Sequence, residues 1–192
     1  MSLQEEYLRI AKKFIEPYKK DKNIIGITLN GGVSRGTGDE YSEIDIYFYV
    51  KKEGLSKLPP KIKGIGTDIA INDVWFEFKT KEIKNEIERK WGLVDRWDAK
   101  YCKILFERDT SISNLLRSKV RFEKGEKKKL INEFGFGVSW SVQLAQVFED
   151  RGDLRHAHLL LNNCLDNLID YYFIINNQFV PYFKWKYYYF SR

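Results

Sequence analysis

The chain changes its hydrophobic period partway along. Tyr7, Leu8, Ala11, Phe14 and Ile15 recur every three or four residues, which predicts an amphipathic helix over residues 3–19 that Pro17 ends or bends. The next apolar run, Ile24 to Leu29, is continuous and reads as a buried strand. A loop with Gly31, Gly32, Gly36 and Gly38 follows, and a β-branched and aromatic run then predicts a strand over 43–50. Gly54 to Gly66, with Pro59-Pro60, reads as a turn-rich connection. Residues 65–79 alternate as a hairpin about Asn72-Asp73, with Val74, Phe76 and Phe78 on one face and Trp75, Glu77 and Lys79 on the other. Thr80 to Lys90 reads as a helix with Thr80 as its N-cap, and Tyr101 to Phe106 as a further short strand.

From about Thr110 the period is helical. Leu130, Phe134, Val138, Val142, Ala145 and Phe148 form one stripe. Leu154, Ala157, Leu161, Cys164, Leu168 and Ile175 form another, after a break at Arg151-Gly152-Asp153. Two antiparallel helices sharing an apolar seam satisfy both stripes. The fold class is therefore α+β: a mixed α/β head with a short mixed sheet over residues 1–109, then an all-helical domain over 110–192. Asn163, Asp166, Asn167 and Asp170 fall opposite the expected seam. They read as a solvated face, or as a surface for a cationic or polyhydroxylated acceptor if they line a cleft.

Composition narrows the class. Hydrophobic residues make up 43% and charged residues 31% of 192, as in globular rather than disordered chains. No apolar run approaches the length of a membrane span, and the charged start is unlike a secretory leader. Two cysteines, Cys102 and Cys164, are too few and too far apart for a zinc site and fit a reducing cytoplasm. A net charge of +6 suits a protein that handles polyanions such as triphosphates and also permits weak RNA binding.

The candidate chemistry lies between Leu29 and Ile46. Glu43 and Asp45 are two residues apart, so on a strand they share a face while Ile44 and Ile46 point into a core. Two adjacent carboxylates raise each other's pKa, and a hard divalent ion between them relieves the repulsion. Mg²⁺ needs few carboxylates and takes its other ligands from water and phosphate oxygens. Gly31 and Gly32 just upstream allow backbone N–H groups to approach an oxyanion. Glu77, between Phe76 and Phe78, is the candidate third ligand and base, with Asp68 and Asp73 as competitors. Arg35 either clamps phosphate or fixes the loop. His156 and His158, at i and i+2 of a helix, point apart and read as structural.

Gly31-Gly32, then ten residues, then Glu43-Ile44-Asp45-Ile46 resembles the signature of the DNA polymerase β-like nucleotidyltransferase superfamily. With Arg35-Gly36 and Asp39-Glu40-Tyr41-Ser42 between, the string is most similar to the small prokaryotic aminoglycoside and lincosamide nucleotidyltransferase branch. There are two departures: Gly32 stands where many members have serine, and Glu43 where most have Asp. The resemblance implies Mg²⁺ or Mn²⁺ held by Glu43, Asp45 and Glu77, which are also the catalytic residues. It further implies that Gly31, Gly32, Ser34 and Arg35 position the triphosphate. Pro181-Tyr182-Phe183-Lys184-Trp185 resembles a Pro-x-x-Lys-Trp element that would bring Lys184 to phosphate, although a surface lysine fits that position equally. Such relatives continue past this point, so the helical domain reads as truncated. The activity implied is transfer of AMP from ATP, or of another nucleoside monophosphate, to a hydroxyl of a small-molecule, protein or RNA acceptor. Two other readings remain open: a non-catalytic nucleotide-binding module or partner subunit, possible in an oligomer, and an RNA-directed transferase or binder.

Overall fold

The computed structural model describes residues 2–55, 58, 62, 65–71 and 73–192. Strands β1 (Ile24–Leu29), β2 (Ile44–Val50), β3 (Ile65–Ile71), β4 (Val74–Glu82) and β5 (Lys103–Glu107) form one mixed sheet in the order β3-β4-β2-β1-β5. β1 is antiparallel to both β2 and β5, and β3 and β4 make the expected antiparallel hairpin. Its tight turn contains Asp73 at φ 64°, a left-handed conformation that Asp tolerates better than most residues. The central pair, β2 and β4, is parallel. Chain leaving β2 passes through a short helix α3 (Lys52–Leu55) and β3 before β4 returns beside it.

The pleat sorts side chains onto two covered faces. On one, Ile27 and Leu29 of β1, Ile44, Ile46 and Phe48 of β2, and Phe76 and Phe78 of β4 pack against helix α1 (Leu3–Ile15) through Tyr7, Ala11 and Ile15. Each large side chain so buried contributes about 1.5–3 kcal/mol. Ser2 caps α1 in a capping box with Glu5, and Glu16-Pro17 converts the helix to a 3₁₀ turn over Glu16–Lys20. On the other face Ile25, Tyr47 and Tyr49 pack with Trp91, Ala99, Ile112 and Leu115. These last come from the segment around helices α4 (Ile83–Glu88), α5 (Leu93–Lys100) and α6 (Ser111–Lys119).

Four local readings change. Gly31–Arg35, expected as loop, makes a short helix α2 closed by Gly36 at φ 82°. Glu43 falls just outside β2. Thr80 is not a cap: β4 continues to Glu82, and the Thr80 hydroxyl donates to the Ile62 carbonyl. Helix α5 was not foreseen. Most of the expected 54–66 connection, and Asn72 of the hairpin turn, lie outside the described residues.

The chain divides into two compact units between Val120 and Arg121, so α6 goes with the sheet. The second unit is helical: α7 (Glu126–Asp150), α8 (Leu154–Ile175) and α9 (Phe183–Phe190). The predicted break at Arg151-Gly152-Asp153 joins α7 to α8, with Gly152 at φ 75° and Asp153 capping α8 through the His156 N–H. The seam between the two helices differs from the apolar one expected. Gly137, Ser141 and Ala145 of α7 face Ala157, Asn163, Cys164 and Asn167 of α8. Asn163 Nδ2 donates to Ser141 Oγ at 3.1 Å, and a Cβ at Gly137 would lie 2.7 Å from Asn167 Oδ1. Asn163 and Asn167 therefore sit in the seam rather than opposite it. Asp166 and Asp170 bind Lys186 of α9 at 2.9 and 2.8 Å. Leu154, Leu161, Leu168 and Ile175, expected inside, are exposed. Small residues in the seam allow the helix backbones to approach, and the bulky ones are turned outward.

Gly26 has a packing role in β1, because a Cβ there would lie 2.3 Å from Ile112 Cγ1 and 3.1 Å from the Phe106 carbonyl oxygen. Ile112 is fully buried and has no room to yield. Gly26→Ala is expected to lower stability by about 1–3 kcal/mol, the usual cost of overpacking. In urea titrations the Gly26→Ala/Ile112→Ala pair should cost less than the sum of the single changes. Additive costs would mean that the two positions do not press on one another.

Candidate active site

Parallel register places Asp45 of β2 directly beside Glu77 of β4, with both on the face away from α1. Asp68 of β3 is the next register position after Glu77. Asp73, the other competitor for the third-acid role, is in the hairpin turn. The Asp45 carboxyl is held well above its ordinary range, chiefly by burial. The hydrogen bond to Glu77 and the charges of Glu77, Asp98 and Glu43 add to the shift. A hydrogen bond between two carboxyls requires a proton on one of them. Lys79 Nζ pairs with Glu77 at 2.8 Å. Burial alone would lower Lys79, but the Glu77 carboxylate outweighs it and keeps the ammonium charged.

Gly31 is shaped to this pair. Its φ is 67°, and a Cβ there would stand 1.7 Å from Asp45 Oδ2. The Asp45 carboxyl thus lies against the bare Cα of the loop, and the Asn30 N–H donates to the Asp45 carbonyl at 2.9 Å. Gly32 is different: a Cβ would find Ser42 Oγ and Thr37 Oγ1 at 3.7 Å, ordinary contact distances. The serine common in the resembled family fits this backbone. Ser34 is buried, and its hydroxyl donates to the Gly31 carbonyl at 2.9 Å.

A further acid, Asp98, adds its charge to Asp45, and sequence reasoning missed it. Asp98 of α5 accepts from Arg35 Nη1 at 3.1 Å, from Asn30 Nδ2 at 3.1 Å and from the Tyr47 hydroxyl at 3.3 Å. The Arg35 guanidinium is buried and stacks 4.5 Å from the Trp97 ring centroid. In this arrangement Arg35 ties the glycine loop to α5. Thr28 donates to Asn30 Oδ1 at 2.7 Å, and Lys79 donates to the Tyr47 hydroxyl at 3.1 Å, so the network runs unbroken from β1 through the loop and α5 to β4. Asp98 is positioned because Asp95 accepts from the Gly92 N–H at 3.0 Å and from Arg89 at 2.8 Å, fixing the first turn of α5. Gly92 followed three residues later by an acid was the sequence signal for that turn.

Lys81 lies on the same side of β4, with its ammonium 4.4 Å from the Tyr47 ring centroid and 5.9 and 6.0 Å from those of Tyr49 and Trp91. Burial lowers its pKa. Burial pushes the Cys102 thiol up to about 12, so it is not a nucleophile. Lys184 belongs to the helical unit, is exposed, and lies 6.0 Å from the Trp185 ring centroid. His156 pairs with Asp153 at 2.6 Å and stacks on Phe148.

Among the described residues no three His, Cys, Asp or Glu side chains converge closely enough to form a metal centre by themselves. Asp45 and Glu77 are a pair, and Glu43 adds its charge from just ahead of β2. Two hard oxygen donors side by side fit an ion that takes its remaining ligands from water and phosphate. No described helix is long and apolar enough to cross a membrane.

No family model matches the sequence. No curated protein matches it either. Among solved structures, the fold is similar to that of a nucleotidyltransferase-like protein from Exiguobacterium sibiricum 255-15, with a TM-score of 0.53 and 11% identity. The alignment covers 93% of this chain and 61% of that one, so the chain spans less than two thirds of the neighbour's length. At this identity the likeness is one of fold, and it singles out no branch of such proteins. The chain has a nucleotidyltransferase-like α+β fold.

Proposed function

We propose that the protein is a metal-dependent nucleotidyltransferase, moving AMP from ATP, or another nucleoside monophosphate, to a hydroxyl of an acceptor. The observation that carries this reading is the Asp45–Glu77 pair, set side by side by parallel strands against the bare Cα of Gly31. Asp45 and Glu77, with Glu43 beside them, would hold Mg²⁺ or Mn²⁺, which when bound supplies charge neutralisation at the triphosphate. Holding such an ion would favour the ionised form of Asp45, whose carboxyl is otherwise held above its ordinary range by burial. Glu77, kept ionised by Lys79, is the group placed to accept the acceptor hydroxyl's proton. Arg35, Asn30 and Asp98 hold the loop that presents Gly31 and Gly32 to phosphate oxygens. The acceptor in this reading is a small molecule, a protein or RNA.

One observation favours a second reading, a non-catalytic nucleotide-binding module. Lys79 pairs with Glu77 at 2.8 Å, which engages the carboxylate proposed as the base. Labelled ATP incubated with Mg²⁺ and pools of metabolites, aminoglycosides, tRNA and proteins separates the two. Label moving to an acceptor supports transfer, whereas binding without movement supports the module.

Asp45→Asn is expected to reduce transfer on the order of 10²-fold or more and to stabilise the metal-free protein at neutral pH. The sign follows from the raised Asp45 pKa. Above the ordinary carboxyl pKa of about 3.9 the folded protein keeps a proton that the unfolded chain has lost, so stability falls as pH rises through that window. The variant escapes this penalty, and its advantage should vanish below the ordinary pKa. Chemical denaturation at several pH values checks it. A destabilised Asp45→Asn at neutral pH would mean that the carboxyl is structural.

Gly32→Ser should fold and retain activity within about threefold, because its surroundings accept a side chain. Gly31→Ala should lose transfer by on the order of 10²-fold through displacement of Asp45. Equal losses in the two variants would remove the Gly31–Asp45 contact from the mechanism.

ATP should raise the melting temperature with Mg²⁺ or Mn²⁺ and not in excess EDTA. Mn²⁺ should support more activity than Mg²⁺, because Glu43 carries its carboxylate one bond further out than Asp would and Mn²⁺ is less strict in geometry. Glu43→Asp should narrow that gap. Full activity in Glu43→Gln would show that Glu43 is not a ligand.

A further inference from the structure

Lys81 is a cation that the fold leaves without a counter-ion. It shares a face of β4 with Glu77 and Lys79 and stands in register with Tyr49 of β2. Its ammonium lies 4.4 Å from the Tyr47 ring centroid and 6.0 Å from that of Trp91. Ring faces attract the charge but leave its three N–H donors without full acceptors. The acids around it are already taken. Arg89 binds Glu86 at 3.0 Å and Asp95 at 2.8 Å, and Asp98 accepts from Arg35, Asn30 and Tyr47. Among the described residues Lys81 has no hydrogen bond or ion pair. Burial lowers its pKa, although Glu86, Asp98 and Asp95 pull the other way. Trp91 supplies a second such donor. It is 3% exposed, packs with Tyr47 and Tyr49, and its indole N–H meets no acceptor. Donors in such places are nearly always paired, so two left unpaired in one cluster of rings call for an anion.

If the chain is the transferase proposed above, the strand directions assign that anion to the acceptor. The glycine loop follows β1, which is antiparallel to β2, so Gly31 stands at the Asp45 end of the sheet. From that end β2 and β4 run parallel towards Tyr49 and Lys81. At ~3.3 Å per residue the Lys81 backbone lies roughly 13 Å beyond Glu77, and its side chain leans back over Tyr47. In an in-line displacement the attacking and leaving oxygens stand on opposite sides of the phosphorus. With the leaving phosphates on the glycine loop, the acceptor comes from the Lys81 side. We propose that Lys81 and the Trp91 indole N–H bind an anionic group, a carboxylate or a phosphate ester, on a small-molecule acceptor. One ammonium fits a single such group and not the row of phosphates along an RNA strand. A polycationic acceptor such as an aminoglycoside would set its amines against Lys79 and Lys81.

Acetylation resolved by residue in a mass spectrometer tests the site without requiring transfer. Inorganic phosphate and acetate, in separate arms, show which anion is taken. At least one should slow labelling of Lys81 about threefold or more, leaving exposed Lys84 unchanged. Trp91→Phe keeps the ring, removes the N–H and should weaken that protection. ATP with Mg²⁺ should not protect Lys81, and protection by ATP would give the cation to the triphosphate and overturn the inference. With labelled ATP, label should pass to pools of hydroxy acids or sugar phosphates, and not to neutral polyols, aminoglycosides or tRNA. Lys81→Met keeps the stem over Tyr47 and should raise KM for the acidic acceptor about tenfold, with kcat and KM for ATP nearly unchanged. Protection of Lys81 without transfer to any pool sinks the transferase reading and leaves the anion site standing. Transfer to polyols, aminoglycosides or tRNA overturns the acidic acceptor, and no protection by either anion overturns the site itself.

Discussion

The site depends on one contact, the Asp45 carboxyl against the Cα of Gly31. It exists because β2 and β4 run parallel in a register that aligns Asp45 with Glu77, and because the loop leaving β1 passes over β2 with no side chain in the way. Neither strand alone defines the pair. Glu77 reaches its place only because the β3–β4 hairpin returns the chain to the edge of β2 in the right sense, and an antiparallel neighbour would carry a different register. Burial on this face then raises the cost of charge and holds the Asp45 carboxyl well above its ordinary range. A close approach, a register and a dielectric environment together make an ordinary pair of acids into a site.

The cations around the pair divide the electrostatic work. Arg35 is bound to Asp98 and stacked on Trp97, holding the loop to α5. Lys79 bridges Glu77 and the Tyr47 hydroxyl and so brings a positive charge to the acid pair. Removing either partner of such a buried pair leaves a charge without compensation, which costs far more than the pair itself contributes. The polar network is therefore a positioning device. Its strength lies in being complete from Thr28 to Glu77, and a network of that kind holds its side chains rigidly.

Much of the head was legible because its signals are local. The continuous run Ile24–Leu29, the alternation about Phe76 and Phe78, and the turn at Asp73 each carry their own physical reason, and the sheet follows them. The acids at 45 and 77 were visible as a pattern of apolar–acidic–apolar residues. Asp98 was not, because α5 is short, interrupts no obvious period, and joins the cluster only through tertiary packing on Tyr47 and Arg35. Thr80 shows the opposite failure: a good capping residue was read as a helix start, but the ladder with β2, which extends to Glu82, outweighs a local preference. In the helical part the period was right and the face was wrong. A stripe mixing Ala157 and Cys164 with Leu161 and Leu168 spans two faces of the helix, and hydrophobicity alone does not say which packs inward. Residue size does, since Gly137, Ser141 and Ala145 admit a close neighbour and leucine does not.

The two units solve the burial problem in opposite ways, and their stabilities follow. The sheet unit covers both faces, with Ile, Phe and Tyr side chains buried on either side, and can afford a polar network inside one of them. The helical unit joins its long helices through glycine, serine, alanine and asparagine, whose burial returns little free energy per residue, and turns its leucines to solvent. Apolar burial in α8 comes from Ile169, Phe173 and Ile174, which are buried, each worth about 1.5–3 kcal/mol. Packing between small residues fixes the geometry of the α7–α8 pair. The driving force comes from Ile169, Phe173, Ile174, Phe179 and Val180, buried in the same unit, so the seam sets the spacing of the helices and these side chains supply the burial.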